Sequence, residues 1–149
     1  MPRETVLALD LEGTLISNAV SQFPRPGLHA FLVFCRDHFE RVYLYTAVRD
    51  AVGEAIVRTL VCENSAPEWF LDVPFVRWSH DRKDLNHIPN ARPCDCLLLD
   101  DNRDYVVDDQ LAQWIPIAKF EAPYSDTDRE LERVQLVIFD RLAQGGLGA

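Results

Sequence analysis

The chain has 149 residues, of which 48% are hydrophobic and 26% charged, and its formal net charge at pH 7 is -9. This size and composition are typical of one soluble globular domain that buries its core without disulfides or a structural metal. The negative charge disfavours binding to a nucleic-acid backbone. No run reaches the roughly 18 apolar residues that span a membrane, and the N-terminus lacks the apolar segment of a secretory signal. We therefore expect a cytoplasmic protein without a nucleic-acid or membrane partner.

Strand-like and helix-like segments alternate along the first half of the chain. Residues 6–10 form a continuous apolar run that ends in Asp10, which is typical of a strand buried on both faces. Apolar residues at helical spacing then predict a helix over 28–40. A strand that ends at Thr46 and an amphipathic helix over 50–60 follow.

The second half continues this alternation with shorter segments. Three further strands are expected, over 75–78, 96–101 and 114–120. A last helix is expected from Ser125 or Thr127 to about residue 142, because Thr127 and Glu130 have the spacing of a capping box. The tail beyond this helix is expected to fray.

Strands separated by helical segments predict an α/β fold, a three-layer sandwich in which a Rossmann-like, mostly parallel sheet carries helices on both faces. Ligands of such open sheets bind beyond the carboxyl ends of the strands. The polar residues expected at these ends, or in the segment that leads to one of them, are Asp10, Glu12, Thr46, Lys83, Asp100 and Asp101.

These side chains fit the chemistry of phosphate. Clustered carboxylates repel each other unless they bind a hard cation such as Mg²⁺, which takes oxygen ligands and keeps waters that a phosphate can replace. Asp10 can attack phosphorus and form an aspartyl-phosphate that water then hydrolyses. Thr46 can donate a hydrogen bond, and Lys83 a positive charge, to the transferring phosphoryl oxygens. The pattern predicts Mg²⁺-dependent hydrolysis of a phosphate monoester.

Four short stretches, "DLEGTL", "YLYT", "KDL" and "LLLDD", resemble in this order the four motifs of the haloacid dehalogenase superfamily. "RPGLHAFL", "YTA" and "RKDLNHI" are most similar to the phosphatases related to the RNA polymerase C-terminal-domain phosphatases and nuclear LIM-interactor-interacting factors. The resemblance covers residues 5 to about 118. It implies a single haloacid dehalogenase-like catalytic domain over residues 1–149 and a phosphatase activity that uses Mg²⁺.

The resemblance also implies a role for each matching residue. Asp10 would be the nucleophile and a metal ligand. Glu12 would be the general acid and base, and its backbone carbonyl would also bind Mg²⁺. Phosphate would be bound by Thr14, Thr46 and Lys83, with Thr14 also supporting the first loop, and Mg²⁺ by Asp101 and, directly or through another ligand, by Asp100.

Glu12 departs from the pattern of the active phosphatases, which usually carry Asp at this position. The additional methylene shifts the proton that must reach the leaving group, and a displacement near 1 Å can cost on the order of a hundredfold in rate. The alternative to an enzyme is therefore a catalytically inactive binding module with the same fold.

A receiver domain of bacterial signalling is a second alternative, because Asp10, Asp100 and Lys119 fit part of its site. Residues 101–118 contain no Ser or Thr and leave no room for another strand and helix, which argues against it.

Specificity in this superfamily often comes from a cap domain, but neither interval between the first three motifs is long enough to contain one. The site is therefore predicted to be open. An open site suits a phosphorylated macromolecule, a nucleic-acid end, or a small molecule closed in by a partner subunit of an oligomer, and the acidic net charge counts against the nucleic acid. Trp78 and His80 are expected near the substrate.

Overall fold

The computed structural model describes residues 3–77 and 81–147. Its sheet has four parallel strands, in the spatial order β2-β1-β3-β4: β1 Val6–Leu9, β2 Arg41–Leu44, β3 Cys96–Asp100 and β4 Trp114–Pro116. The three α-helices are α1 Leu28–His38, α2 Asp50–Cys62 and α3 Glu130–Leu147. None of the helices in these described ranges combines the length and the apolar composition that a membrane span requires.

Side chains of the strands alternate between the two faces of the sheet. Leu7 and Leu9 pack in one core cluster with the buried faces of all three α-helices. Val6 and Ala8 point the other way, into a second cluster that contains Leu85 and other residues of the connecting segments. Covering both faces buries the central strands completely, which is why their sequences are continuous apolar runs.

The predicted α/β sandwich is confirmed. The layer that covers Val6 and Ala8 is thinner than expected, because it contains no α-helix within the described residues. The 3₁₀-helices Leu85–His87 and Arg103–Tyr105, with the extended chain beside them, take the place of α-helices on that face. Pro89 and Pro93 follow the first of these 3₁₀-helices and disfavour an α-helix there, because a proline inside a helix removes a hydrogen bond and clashes with the preceding turn.

The first two α-helices match their predictions closely, and the predicted strand at 75–78 is reduced to a single bridge. α1 ends at His38 because Phe39 has an extended backbone. α2 continues two residues beyond the predicted end, to Cys62. Phe75 forms a parallel bridge with Leu44 at the edge of the sheet. Trp78 and His80 lie outside the described residues.

The end of the sheet and the start of α3 differ from the predictions. The amide of Ala118 donates to Oε1 of Glu130 at 2.9 Å, and the amide of Phe120 donates to the carbonyl of Gly13 at 2.7 Å, so the chain leaves the sheet after β4. The predicted capping box is wrong, because Glu130 is bound to Ala118 and the carboxylate of Asp128 accepts from the Glu130 amide. α3 continues into the tail that was expected to fray.

Candidate active site

The carboxyl ends of β1, β2 and β3 coincide because the strands are in register: Leu9 pairs with both Leu44 and Leu99. Asp10 follows β1 directly, and Asp100 is the last residue of β3. Parallel pairing therefore brings residues that are 90 positions apart in sequence to one edge of the sheet, the edge at which open α/β sheets bind ligands.

A buried lysine joins the two carboxylates at this edge. Nζ of Lys83 donates to Oδ1 of Asp10 at 2.8 Å and to Oδ2 of Asp100 at 2.5 Å. The side chains of Lys83 and Asp100 are fully buried, and that of Asp10 is 7% exposed. The face of the Tyr105 ring lies 4.8 Å from Nζ and closes the other side of the ammonium group.

One ammonium group thus serves two buried carboxylates, and this leaves one negative charge in excess. Burial raises the pKa of Asp10 well above its ordinary value, against the opposing charge of Lys83, and burial likewise raises the pKa of Asp100. For Lys83, burial favours the neutral amine, but the charges of the two carboxylates outweigh it and raise the pKa. The arrangement favours binding of a proton or of a further cation.

Asp101 provides a third carboxylate beside this pair. Carboxylate oxygens of Asp10, Asp100 and Asp101 lie within 4.8 Å of one another. The hydroxyl of Thr14 lies 2.9 Å from Oδ2 of Asp10 and 3.2 Å from Oδ1 of Asp101, so it donates between them. Three carboxylates form a set of oxygen ligands that fits Mg²⁺, because this ion prefers hard oxygen ligands.

Gly13 makes the close approach of Asp101 to the first loop possible. Its φ is +75°, and a Cβ at this position would lie 2.8 Å from Oδ2 of Asp101. Any other residue would be strained by the left-handed backbone and would also displace the carboxylate. The glycine in "DLEGTL" is therefore required by the geometry of the carboxylate cluster.

Glu12 lines the same cleft as Asp10, and its carboxylate is held by the loop that follows. Oε2 of Glu12 accepts a hydrogen bond from the amide of Ala19 at 2.6 Å. The extra methylene of glutamate relative to aspartate gives the carboxylate additional reach along the cleft wall. The Glu12 carboxylate is thus anchored to the backbone of Ala19, and it lies outside the group of Asp10, Asp100 and Asp101.

A cleft of about 230 Å³ opens over this edge of the sheet. It is lined by Asp10, Glu12, Thr46, Asp101, Tyr105 and Lys119, among others. The hydroxyl of Thr46 also accepts from the amide of Val48 at 3.1 Å. Three predicted residues, Thr14, Lys83 and Asp100, lie buried behind the wall and contact the cleft through Asp10 and Asp101. A larger groove, between α2 and residues 71–77, contains none of the predicted site residues.

Arg25 belongs to the support of the site and was not among the predicted site residues. This residue is 1% exposed and donates to the carbonyls of Gly13 and Thr14 at 3.4 and 3.3 Å. Its guanidinium also forms an ion pair with Asp128, at 3.1 Å. The prolines on both sides of Arg25 were the available signal, because they restrict the backbone of a charged residue in a loop.

The intervals between the first three motifs contain no cap domain within the described ranges, as expected. Between Thr14 and Thr46 the chain forms a loop, α1 and β2. Between Thr46 and Lys83 it forms α2 and the 3₁₀-helix Glu68–Asp72. The cleft is therefore open to one side.

A family model, the NLI interacting factor-like phosphatase, matches residues 5–145. The chain belongs to the NLI interacting factor-like phosphatase family. The expected class, a haloacid dehalogenase-type phosphatase, is thereby confirmed at the level of the family. No curated protein sequence matches the chain significantly.

The chain shares its fold with several solved structures, two of which are the following. The structure of Fcp1, an essential RNA polymerase II CTD phosphatase, superposes with a TM-score of 0.68 at 13% identity, over 95% of this chain and 63% of that chain. A variant of fission yeast Fcp1 bound to beryllium fluoride superposes with a TM-score of 0.58 at 15% identity, over 95% of this chain and 51% of that chain. The chain thus spans about half to two thirds of these structures, and at such identities the likeness concerns the fold.

Proposed function

We propose that this chain is a Mg²⁺-dependent phosphate-monoester hydrolase that works through an aspartyl-phosphate on Asp10. The observation that carries the proposal is the buried arrangement of Asp10, which Lys83 and Thr14 orient beside two further carboxylates at the ligand-binding edge of the sheet. Membership of a phosphatase family supports the same reaction. Residues 1–149 would act as a single catalytic domain.

Asp10, Asp100 and Asp101 would hold the metal, with the backbone carbonyl of Glu12 as a further ligand. Their carboxylate oxygens are already close together and carry more negative charge than Lys83 neutralises. Bound there, Mg²⁺ would neutralise this excess and the charge of the phosphate oxygens.

In the first half of the reaction Asp10 is the nucleophile and Glu12 is the acid. An oxygen of Asp10 attacks phosphorus while the bond from phosphorus to the ester oxygen breaks, and the leaving oxygen takes a proton from Glu12. Lys83 keeps the attacking carboxylate in a fixed orientation. Thr46 donates toward the oxygens of the transferring phosphoryl group, and Lys83 and Thr14 act through their hydrogen bonds to Asp10.

In the second half, water replaces the aspartate. Glu12 removes a proton from this water, which attacks phosphorus and releases inorganic phosphate and the free carboxylate of Asp10. The amide of Ala19 occupies Oε2 of Glu12, which leaves Oε1 for proton exchange with the leaving group and the water.

The open cleft suits a phosphorylated substrate that is larger than the cleft itself, such as a phosphorylated protein segment. Fcp1, whose fold the chain shares, is an RNA polymerase II CTD phosphatase. The formal charge of -9 disfavours nucleic acid as the substrate.

The test is an assay with a generic aryl phosphate, with and without Mg²⁺, on the wild type, Asp10→Asn and Glu12→Asp. We expect turnover that requires Mg²⁺ and that Asp10→Asn lowers by on the order of a thousandfold or more, because a nucleophile is lost. A wild type without metal-dependent turnover, or one whose turnover survives Asp10→Asn, would contradict the proposal.

The alternative, a catalytically inactive module, is favoured by one observation: the carboxylate of Glu12 is bound to Ala19. Glu12→Asp distinguishes the two proposals. If the wild type is inactive and this variant alone hydrolyses the aryl phosphate, the inactive module is the better description.

A further inference from the structure

The chain contains 15 basic residues, of which 13 are arginine and only two, Lys83 and Lys119, are lysine. Both lysines belong to the candidate active site. Lys83 is buried between two carboxylates, whereas Lys119 is exposed and lines the cleft. Lys119 has no hydrogen bond or ion pair within the part of the chain that the structure describes.

The backbone on both sides of Lys119 is fixed. The amide of Ala118 is bound to the carboxylate of Glu130 at 2.9 Å, and the amide of Phe120 to the carbonyl of Gly13 at 2.7 Å. The Phe120 ring is buried and lies 5.3 Å from the guanidinium of Arg25. The fold therefore holds the base of the Lys119 side chain at the cleft and leaves its ammonium group available.

The wall of the cleft around Lys119 is rich in negative charge. The cleft wall carries the carboxylates of Asp10, Glu12 and Asp101, and the whole chain has a formal charge of -9. The charge of Lys83 is already shared between Asp10 and Asp100. An approaching phosphate, itself an anion, would meet a negative surface, and Lys119 supplies an exposed positive charge on this wall.

We propose that Lys119 is a substrate-binding residue that draws the phosphate of the substrate into the cleft and holds it at the mouth. This inference rests on the proposed function, because it assigns a binding role in the same site. The contribution is electrostatic: at about 5 Å in a solvent-like dielectric, two unit charges gain about 0.8 kcal/mol, which corresponds to about fourfold in binding.

The first test compares Lys119→Met and Lys119→Arg with the wild type, using an aryl phosphate as substrate and inorganic phosphate as a competitive inhibitor. We expect Lys119→Met to raise KM and the inhibition constant of phosphate about fourfold, with kcat changed by less than about twofold. Lys119→Arg keeps the charge and should stay within about twofold of the wild type. Arg58→Met removes an exposed positive charge from α2, outside the cleft, and is the matched control.

Salt dependence separates this role from a structural one. The difference between Lys119→Met and the wild type should shrink as the ionic strength rises, because a Debye length of about 8 Å at physiological ionic strength falls to about 3 Å at 1 M. Equal KM and equal phosphate inhibition of Lys119→Met and the wild type at low ionic strength would overturn the inference.

A second test does not require turnover. Lys119 is the exposed one of the two lysines, so an amine-reactive reagent followed by peptide mass spectrometry reports on it directly. Inorganic phosphate with Mg²⁺ should slow its modification at least about threefold, and an unchanged rate would overturn the inference. If the wild type fails to hydrolyse the aryl phosphate, the proposed reaction is wrong, while protection by phosphate would still support binding by Lys119.

Discussion

Replacing Lys83 by methionine tests the electrostatics of the candidate site most severely. The substitution keeps a long unbranched side chain but removes the ammonium group that donates to Asp10 and Asp100. All three side chains are buried, so water cannot replace the lost cation without a rearrangement of the core. Two carboxylates then remain together in a site of low dielectric.

The expected cost follows from this geometry. Removing one partner of a buried ion pair typically costs about 3–5 kcal/mol, because the remaining charge is uncompensated. Here some of the cost is recovered when Asp10 takes up a proton, since burial already raises its pKa. We therefore expect Lys83→Met to lower the free energy of unfolding by about 3 kcal/mol, and Lys119→Met, the exposed control, by less than about 0.5 kcal/mol.

Urea unfolding followed by circular dichroism measures both variants, without metal and with Mg²⁺. If the carboxylates bind Mg²⁺, a concentration about tenfold above the dissociation constant should stabilise the folded protein by about 1.4 kcal/mol. A loss below about 1 kcal/mol for Lys83→Met, or an equal loss for both lysine variants, would refute the assignment of a buried charge cluster.

Three further substitutions test the first loop, the start of α1 and the start of α3 by thermal and urea unfolding. Gly13→Ala should lower the free energy of unfolding by at least about 2 kcal/mol, and Gly27→Ala by about 1 kcal/mol. Both glycines have a positive φ, but only a Cβ at Gly13 would meet Asp101. Equal losses for the two variants would contradict this explanation. The hydrogen bonds from Arg133 hold the pKa of Glu130 at about 2, below its ordinary value of 4.5. The folded state thus prefers the ionised form of Glu130. The stability that this carboxylate contributes is therefore present above pH 4.5 and is lost as the pH falls toward 2. After allowance for solvent screening, Glu130→Gln should lower the free energy of unfolding by about 1 kcal/mol at neutral pH. It should also weaken the dependence of this free energy on pH in the acid range. An unchanged dependence would contradict the assignment.

The edge of the sheet at which the acidic residues meet could be predicted from the sequence. Buried parallel strands read as continuous apolar runs, and the first polar residue after such a run marks the carboxyl end of the strand. Asp10, Asp100 and Asp101 were located in this way. Their proposed roles toward Mg²⁺ and phosphate remain predictions.

The supporting contacts could not be predicted, because they join distant segments through side chains. Lys83 was expected at the substrate phosphate, and its complete burial between two carboxylates depends on how the second layer folds over the sheet. Arg25 and Asp128 are 103 residues apart. The Glu130 carboxylate binds the distant amide of Ala118 instead of completing the predicted capping box with Thr127.

The most direct test of the central claim is to detect the phosphoenzyme. Glu12→Gln should slow the second step, because it cannot remove a proton from the attacking water, while an aryl leaving group needs little protonation in the first step. Acid quenching during turnover with Mg²⁺, followed by peptide mass spectrometry, should find a phosphoryl group on Asp10 in this variant and none in Asp10→Asn. Metal-dependent turnover with phosphate on another residue, or with no phosphoenzyme in Glu12→Gln, would contradict the account.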